Sequence, residues 1–177
     1  IKNMTEITST RSVKQLQQAG FDNQTIKAAG HDINDFREAG ISNVSDLKSI
    51  GFSLKDMREA GYNLNDVKSN YNLKQIHDAG YSAQDVYNAG YSYNAARDAG
   101  YSISELQNLS NYQGQAAGEQ TIWNQIKQAV KTIGPGSTKG PKISPINGQT
   151  AVAVAKRHGN ENIDKELYNT SAKLDFG

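Results

Sequence analysis

YSAQDVYNAG (81–90), YSYNAARDAG (91–100) and YSISELQNLS (101–110) are three versions of one decapeptide. The same template runs back through YNLKQIHDAG (71–80), YNLNDVKSN (62–70), FSLKDMREAG (52–61), ISNVSDLKSIG (41–51), HDINDFREAG (31–40) and FDNQTIKAAG (21–30) to RSVKQLQQAG (11–20). It reads aromatic, Ser/Asn/Asp, apolar, x, Asp, apolar, x, x, Ala, Gly. One unit carries an extra residue and one lacks a residue, after which the phase is restored. Self-similarity at a fixed short period is the mark of a repeat architecture.

Each template position has a mechanical meaning. Ser53, Ser82, Ser92 and Ser102, with Asp22, Asp32, Asn43, Asn63 and Asn72, stand where an N-cap side chain accepts from the first free backbone N–H groups of a helix. Asp35, Asp46, Asp56, Asp66, Gln75, Asp85 and Glu105 follow three residues later, the spacing of a capping box. Acidic members of that set also favour the positive end of the helix. Gly20, Gly30, Gly40, Gly51, Gly61, Gly80, Gly90 and Gly100 then fall where a left-handed residue ends a helix, with Asn70 as the substitute. Each unit is therefore expected to be one helix of about two turns, started and stopped by its own sequence.

Phe21, Phe52, Tyr62, Tyr71, Tyr81, Tyr91 or Tyr101 follows the stop signal, placed to pack on both the helix just ended and the one about to begin. Within the units Leu16, Ile26, Phe36, Leu47, Met57, Val67, Ile76, Val86 and Leu106 recur three residues before the small Ala19, Ala29, Ala39, Ala60, Ala79 and Ala89, or three after Val13, Ile33, Val44, Leu54, Leu64, Leu73 or Ile103, which makes one apolar face. Helices this short are unstable alone in water, so those faces must stack on neighbouring units.

Composition agrees with a thin fold. The chain has 177 residues, enough for one compact unit or an elongated one with an appendage. Its hydrophobic fraction is 36%, against roughly 45–50% in globular chains. Mean hydropathy is -0.69. Lys and Arg number 19 and Asp and Glu 18, a net charge of +1, which makes no strong claim on a polyanion or an anionic membrane. Absence of cysteine removes disulfides and thiolate chemistry and leaves the compartment open. No stretch has the ~18 apolar residues of a membrane-spanning helix, and residues 1–20 lack the profile of a secretory signal. The chain opens at Ile1 rather than at methionine, as a processed chain or a piece of something longer would.

Beyond the repeats, NYQGQAAG (111–118) reads as a linker or helix lead-in. Ile122, Ile126, Ala129, Val130 and Ile133 make an amphipathic helix of residues 119–133, with Trp123 at the edge of its apolar stripe and a stop at Gly134 and Pro135. Residues 111–134 thus form a linker and capping helix. All three prolines lie in 135–149, which predicts a loop. GQTAVAVAKRHGNENIDKEL (148–167) resembles one ankyrin repeat in its G-x-T, its A-x-x-x-G spacing and its two short helical segments, with Ala151-Val152 where ankyrin has Pro-Leu. That resemblance implies a helical hairpin at 150–168 with Thr150 as the first cap, followed by an extended tail at 169–177.

Catalytic signals are weak. His31, His77 and His158 lie apart without metal-ligand spacing. His31 occupies an aromatic joint position, and His77 a polar helix position. The acidic ladder from Asp35 to Glu105 is accounted for by helix capping. GSTKGPK (136–142) lacks the residue order of a phosphate loop. An aromatic ladder can serve as a base-stacking platform, but such binders need a positive groove; residues 11–110 carry 10 basic and 12 acidic side chains. Five N-x-S/T sequons follow from the abundance of capping residues. Tyr87 and Tyr93 are additional to the joint ladder and suit partner contact.

The A-G-Y-S-x-x-D/E-L array, as in YSAQDVYNAG and YSISEL, resembles the tandem ten-residue helical repeats of some large-DNA-virus and protist proteins and of the repeat region of the Dot/Icm type IVB secretion channel protein. The resemblance covers 11–110. It implies spacer and docking roles in assemblies and brings no catalytic residue.

The expected fold is therefore all-α: an α-solenoid of about ten decapeptide units with one short capped helix each, preceded by a lead-in at 1–10 and followed by C-terminal helices. The expected function is a non-catalytic structural or adaptor repeat protein that mediates protein–protein contacts within a larger assembly, such as a virion shell or an envelope or secretion complex. A single-stranded nucleic-acid-binding repeat protein is the alternative. No catalytic residue, metal, cofactor, small-molecule substrate or membrane span is expected. Partner contacts are assigned to Tyr87, Tyr93, Arg97 and Trp123, in a cytoplasmic or assembly-associated setting.

Overall fold

The structure, a computed structural model, describes residues 4–132 and 148–158. It contains α1 (Met4–Thr10), α2 (Val13–Gln18), α3 (Asn23–Ala28), α4 (Ile33–Glu38), α5 (Val44–Ile50), α6 (Leu54–Glu59), α7 (Leu64–Val67), α8 (Leu73–Asp78), α9 (Ala83–Asn88), α10 (Tyr93–Ala99), α11 (Ile103–Leu106), α12 (Gln113–Thr132) and α13 (Gly148–Arg157). The described residues form an all-α repeat fold without strands. They divide into two compact units, Ile1–Gly90 and Tyr91–Gly177.

Helices α3 to α11 open on the expected caps. Asp32, Ser53, Asn63, Asn72, Ser82 and Ser102 form reciprocal boxes with the residue three positions on. Asp22, Asn43 and Ser92 accept from the corresponding amide. Ser12 and Gln15 add a box on α2 by the same rule.

The stops follow the glycine rule. At the end of α6, the Gly61 amide donates to the Arg58 carbonyl at 3.0 Å and the Tyr62 amide to that of Met57 at 3.0 Å, the paired bonds of a Schellman motif. All eight of the closing glycines have positive φ, between 84° and 116°. Asn70 departs from expectation. No non-glycine residue among those described has positive φ, and the Asn70 amide instead donates to the Val67 carbonyl at 3.0 Å. The unit that lacks a residue closes through a tighter turn and a four-residue helix.

One side chain of each decapeptide is fully buried. Leu16, Ile26, Phe36, Leu47, Met57, Val67, Ile76, Val86, Ala96 and Leu106 are each 0% exposed. Full burial of each larger aliphatic or aromatic member contributes about 1.5–3 kcal/mol.

A second relationship runs two units along the chain. The Tyr62 hydroxyl donates to the Ser42 carbonyl at 2.5 Å and the Tyr81 hydroxyl to that of Tyr62 at 2.9 Å. The Tyr112 hydroxyl bonds the Tyr91 carbonyl in the same way. Cations reach in the opposite sense: Arg37 Nη1 donates to the Ala60 carbonyl at 2.8 Å, Lys48 Nζ to that of Asn70 at 3.0 Å, and Arg58 Nε to that of Ala79 at 2.8 Å. These carbonyls lie at or just beyond helix C-termini, where a positive charge is favoured. Arg37 and Lys48 also sit over the Tyr62 and Tyr71 rings, 4.2 Å and 4.5 Å from their centroids. Arg37, half-buried, and Lys48 and Arg58, both exposed, therefore act as struts between a helix and the one two units on.

Three boundaries differ from the sequence expectation. The lead-in contains α1, whose Thr8 carbonyl lies 2.8 Å from His31 Nε2. α12 begins at Gln113, so most of the expected linker is already helical; Gly114 and Gly118 sit in a helix that neighbouring packing sustains. α13 begins at Gly148, which places Thr150 inside the helix rather than at its cap and moves the end of the expected loop. Residues 133–147, the second segment of the ankyrin-like hairpin and the tail lie outside the described residues.

Candidate functional site

A dense polar cluster lies in the unit Tyr91–Gly177, where α10, α12 and α13 converge. Tyr93 and Arg97 are four residues apart on α10 and share a face. Glu119, Trp123 and Lys127 recur at the same spacing on α12. Arg157 and His158 stand at the end of α13.

Glu119 is the hub. Arg97 meets it through Nη2 at 2.8 Å and Nε at 2.9 Å, with the two side chains 5% and 4% exposed. Arg157 Nη1 donates to it at 3.1 Å, the Tyr93 hydroxyl at 3.1 Å, and His158 Nε2 lies 2.9 Å away. Arg157 Nε also bonds Asp98 at 2.8 Å, and Arg97 Nη1 donates to the Tyr101 carbonyl at 2.7 Å. The Trp123 and His158 rings stack at 4.5 Å with 9° between their planes, and Lys127 lies 5.7 Å from the Trp123 ring centroid.

Burial raises the Glu119 pKa, but the hydrogen bonds and charge of Arg97, with the bonds from His158 and Tyr93, outweigh it and hold the carboxyl below its ordinary value. Burial first, and then Arg97 and Lys127, lower the His158 pKa against the opposing pull of Glu119. The Tyr93 hydroxyl is pushed up to about 12 by burial and then by Glu119. Such a carboxylate, engaged by two guanidinium groups, a phenol and an imidazole, is suited to holding three helices together.

Three of the four residues assigned to partner contact meet here. Tyr93 is 2% and Arg97 6% exposed, which corrects their expected accessibility: each turns inward because Glu119 and Tyr112 lie against α10. Trp123 is half-buried against His158. Tyr87 is half-buried on α9 and belongs to the other unit. Sequence reasoning missed Glu119, Asp98, Arg157 and His158, and the i, i+4 spacings of Tyr93–Arg97 and Glu119–Trp123 were the available signal.

The remaining histidines are local. His31 Nδ1 lies 3.2 Å from Asp35 Oδ2, and His77 Nδ1 lies 3.0 Å from Asp78 Oδ1. Among the described residues no group of three or more His, Asp or Glu is arranged to hold a metal ion. Among them, too, no helix is long and apolar enough to cross a membrane.

Self-capped helices in series, stacked through one buried side chain per unit, define a helical repeat protein. Residues 51–118 match the family model for the decapeptide repeat region. Units upstream of that match carry the same caps and glycine stops. No curated protein and no solved structure matches the chain.

Proposed function

We propose that this chain is a non-catalytic structural or adaptor repeat protein whose helices dock other proteins within a larger assembly, such as a virion shell or an envelope or secretion complex. The observation that carries the reading is a groove that recurs between a helix and the one two units on. Asn23 and Gln24 on α3 face Asp46, Ser49 and Ile50 on α5 across an open groove of about 360 Å³. Asp32 to Asn34 at the start of α4 face Asp56, Glu59 and Ala60 on and beside α6 across a second, of about 220 Å³. Repeats present such surfaces in series, which is how solenoid-type proteins bind extended partners. Buried joint rings favour this reading over single-strand binding: Tyr62, Tyr81 and Tyr101 are 9%, 4% and 1% exposed, which withholds them from bases.

Cross-linking mass spectrometry on the native source tests it. The expected result is protein cross-links mapping to residues along these grooves. Recovery of the chain with no protein partner at physiological concentration would contradict it, as would salt-sensitive binding of single-stranded oligonucleotides.

A further inference from the structure

We propose that the seating of α13 on α10 and α12 is a pH-gated latch, in which protonation of His158 on acidification releases α13 from the Glu119 cluster. His158 is the end of the docked segment, and its Nε2 lies 2.9 Å from Glu119 Oε2. A neutral imidazole with its proton on Nε2 already donates that bond. A second proton, taken from solvent at Nδ1, therefore adds charge without adding this contact.

The charge arrives in crowded surroundings. α10 brings the guanidinium of Arg97, whose Nη2 lies 3.5 Å from His158 Nε2, the Tyr93 hydroxyl, and the Asp98 carboxylate, which bonds Arg157. α12 brings Glu119, already bonded by both arginines, and the Lys127 ammonium beyond Trp123. α13 brings Arg157. Three cations thus oppose a fourth, against Glu119 inside the cluster and Asp98 at 66% exposure on its rim. The same balance, burial included, lowers the His158 pKa from the ordinary 6.5. A histidine held neutral in the docked state contributes stability above 6.5, and that contribution is lost as pH falls toward its lower docked value. The described side chains of α13 add a modest apolar hold, Val154 and Ala155 being 3% and 0% exposed.

The test is amide hydrogen exchange of the full chain between pH 7.5 and 5.0 at fixed ionic strength, corrected for intrinsic rates. Emission and acrylamide quenching of Trp123, the single tryptophan, provide a second readout. The expected result is loss of protection at residues 153–158 below pH 6.5, by up to about tenfold per pH unit, with Trp123 becoming more accessible while α10 and α12 stay protected. His158→Gln, which keeps an N–H donor and cannot charge, should hold its protection across the range. Protection unchanged down to pH 5.0, an equal drop in His158→Gln, or simultaneous loss from α10 and α12 would each overturn the proposal.

Discussion

Arg97 of α10 and Glu119 of α12 form an ion pair of 2.8 Å with almost no solvent access to either side chain. A buried pair of this kind is worth little against an apolar replacement, but removing one member strands the other. Glu119→Ala leaves Arg97 without its carboxylate and should cost about 3–5 kcal/mol. Urea denaturation followed through Trp123 checks this, and a cost below about 1 kcal/mol would show that the pair is solvated. The double variant Arg97→Met, Glu119→Leu should recover a substantial part of the loss.

Glycines divide by backbone conformation. Gly90 has φ of +84° with open space around its would-be Cβ, so Gly90→Ala should cost about 1–2 kcal/mol from the backbone alone. Gly118 lies inside α12, also with open space, and there Gly→Ala should stabilise by about 0.5–1 kcal/mol. Opposite shifts in Tm are the expected readout, and shifts of the same sign would contradict these assignments.

Those glycine stops were legible in the sequence because they act within one unit. Ser82 finds its partner three residues on, and Gly90 closes the helix eight residues later, so neither depends on what the helix packs against. Arg37 and Tyr62 are different: their contact depends on how a helix stacks on the next but one, which the polar or aromatic template position does not encode. Arg97 occupies the same template position as Arg37 and Arg58 yet points into the Glu119 cluster, because α12 and α13 cover it there. The start of α12 was hidden by Gly114 and Gly118, whose low helix propensity is overridden by burial of Tyr112, Ala116 and Glu119.

The capping box on α9 gives a local test. Ser82 Oγ accepts from the Asp85 amide at 3.1 Å and the Asp85 carboxylate from the Ser82 amide at 3.1 Å. Ser82→Ala should cost about 1 kcal/mol, whereas Ser82→Gly should cost only a few tenths. Thermal denaturation of the two variants side by side checks the order, and equal losses would contradict it.

Two tyrosines set a high-pH limit. Burial pushes the Tyr81 hydroxyl up to about 12, with Asp66 and Asp85 adding to the rise and Arg58 opposing it; Tyr93 reaches about 12 as well. A folded-state pKa above the ordinary 10.0 means that these phenols contribute stability below pH 10 that is lost as pH rises toward 12. Absorbance at ~295 nm should show a late-titrating group of tyrosines, depleted by two in the variant Tyr81→Phe, Tyr93→Phe. Titration of every tyrosine near 10 would contradict it.

Backbone chemical shifts and amide exchange across residues 41–90 most directly test whether the chain is a series of separately capped short helices. The expected record is helical stretches of about four to seven residues, separated by left-handed glycines at positions 51, 61, 80 and 90 and by the tighter turn at Asn70, with contacts from the Tyr81 ring to Tyr62. Continuous helical shifts through Gly61, Gly80 and Gly90, or extended shifts between them, would contradict it.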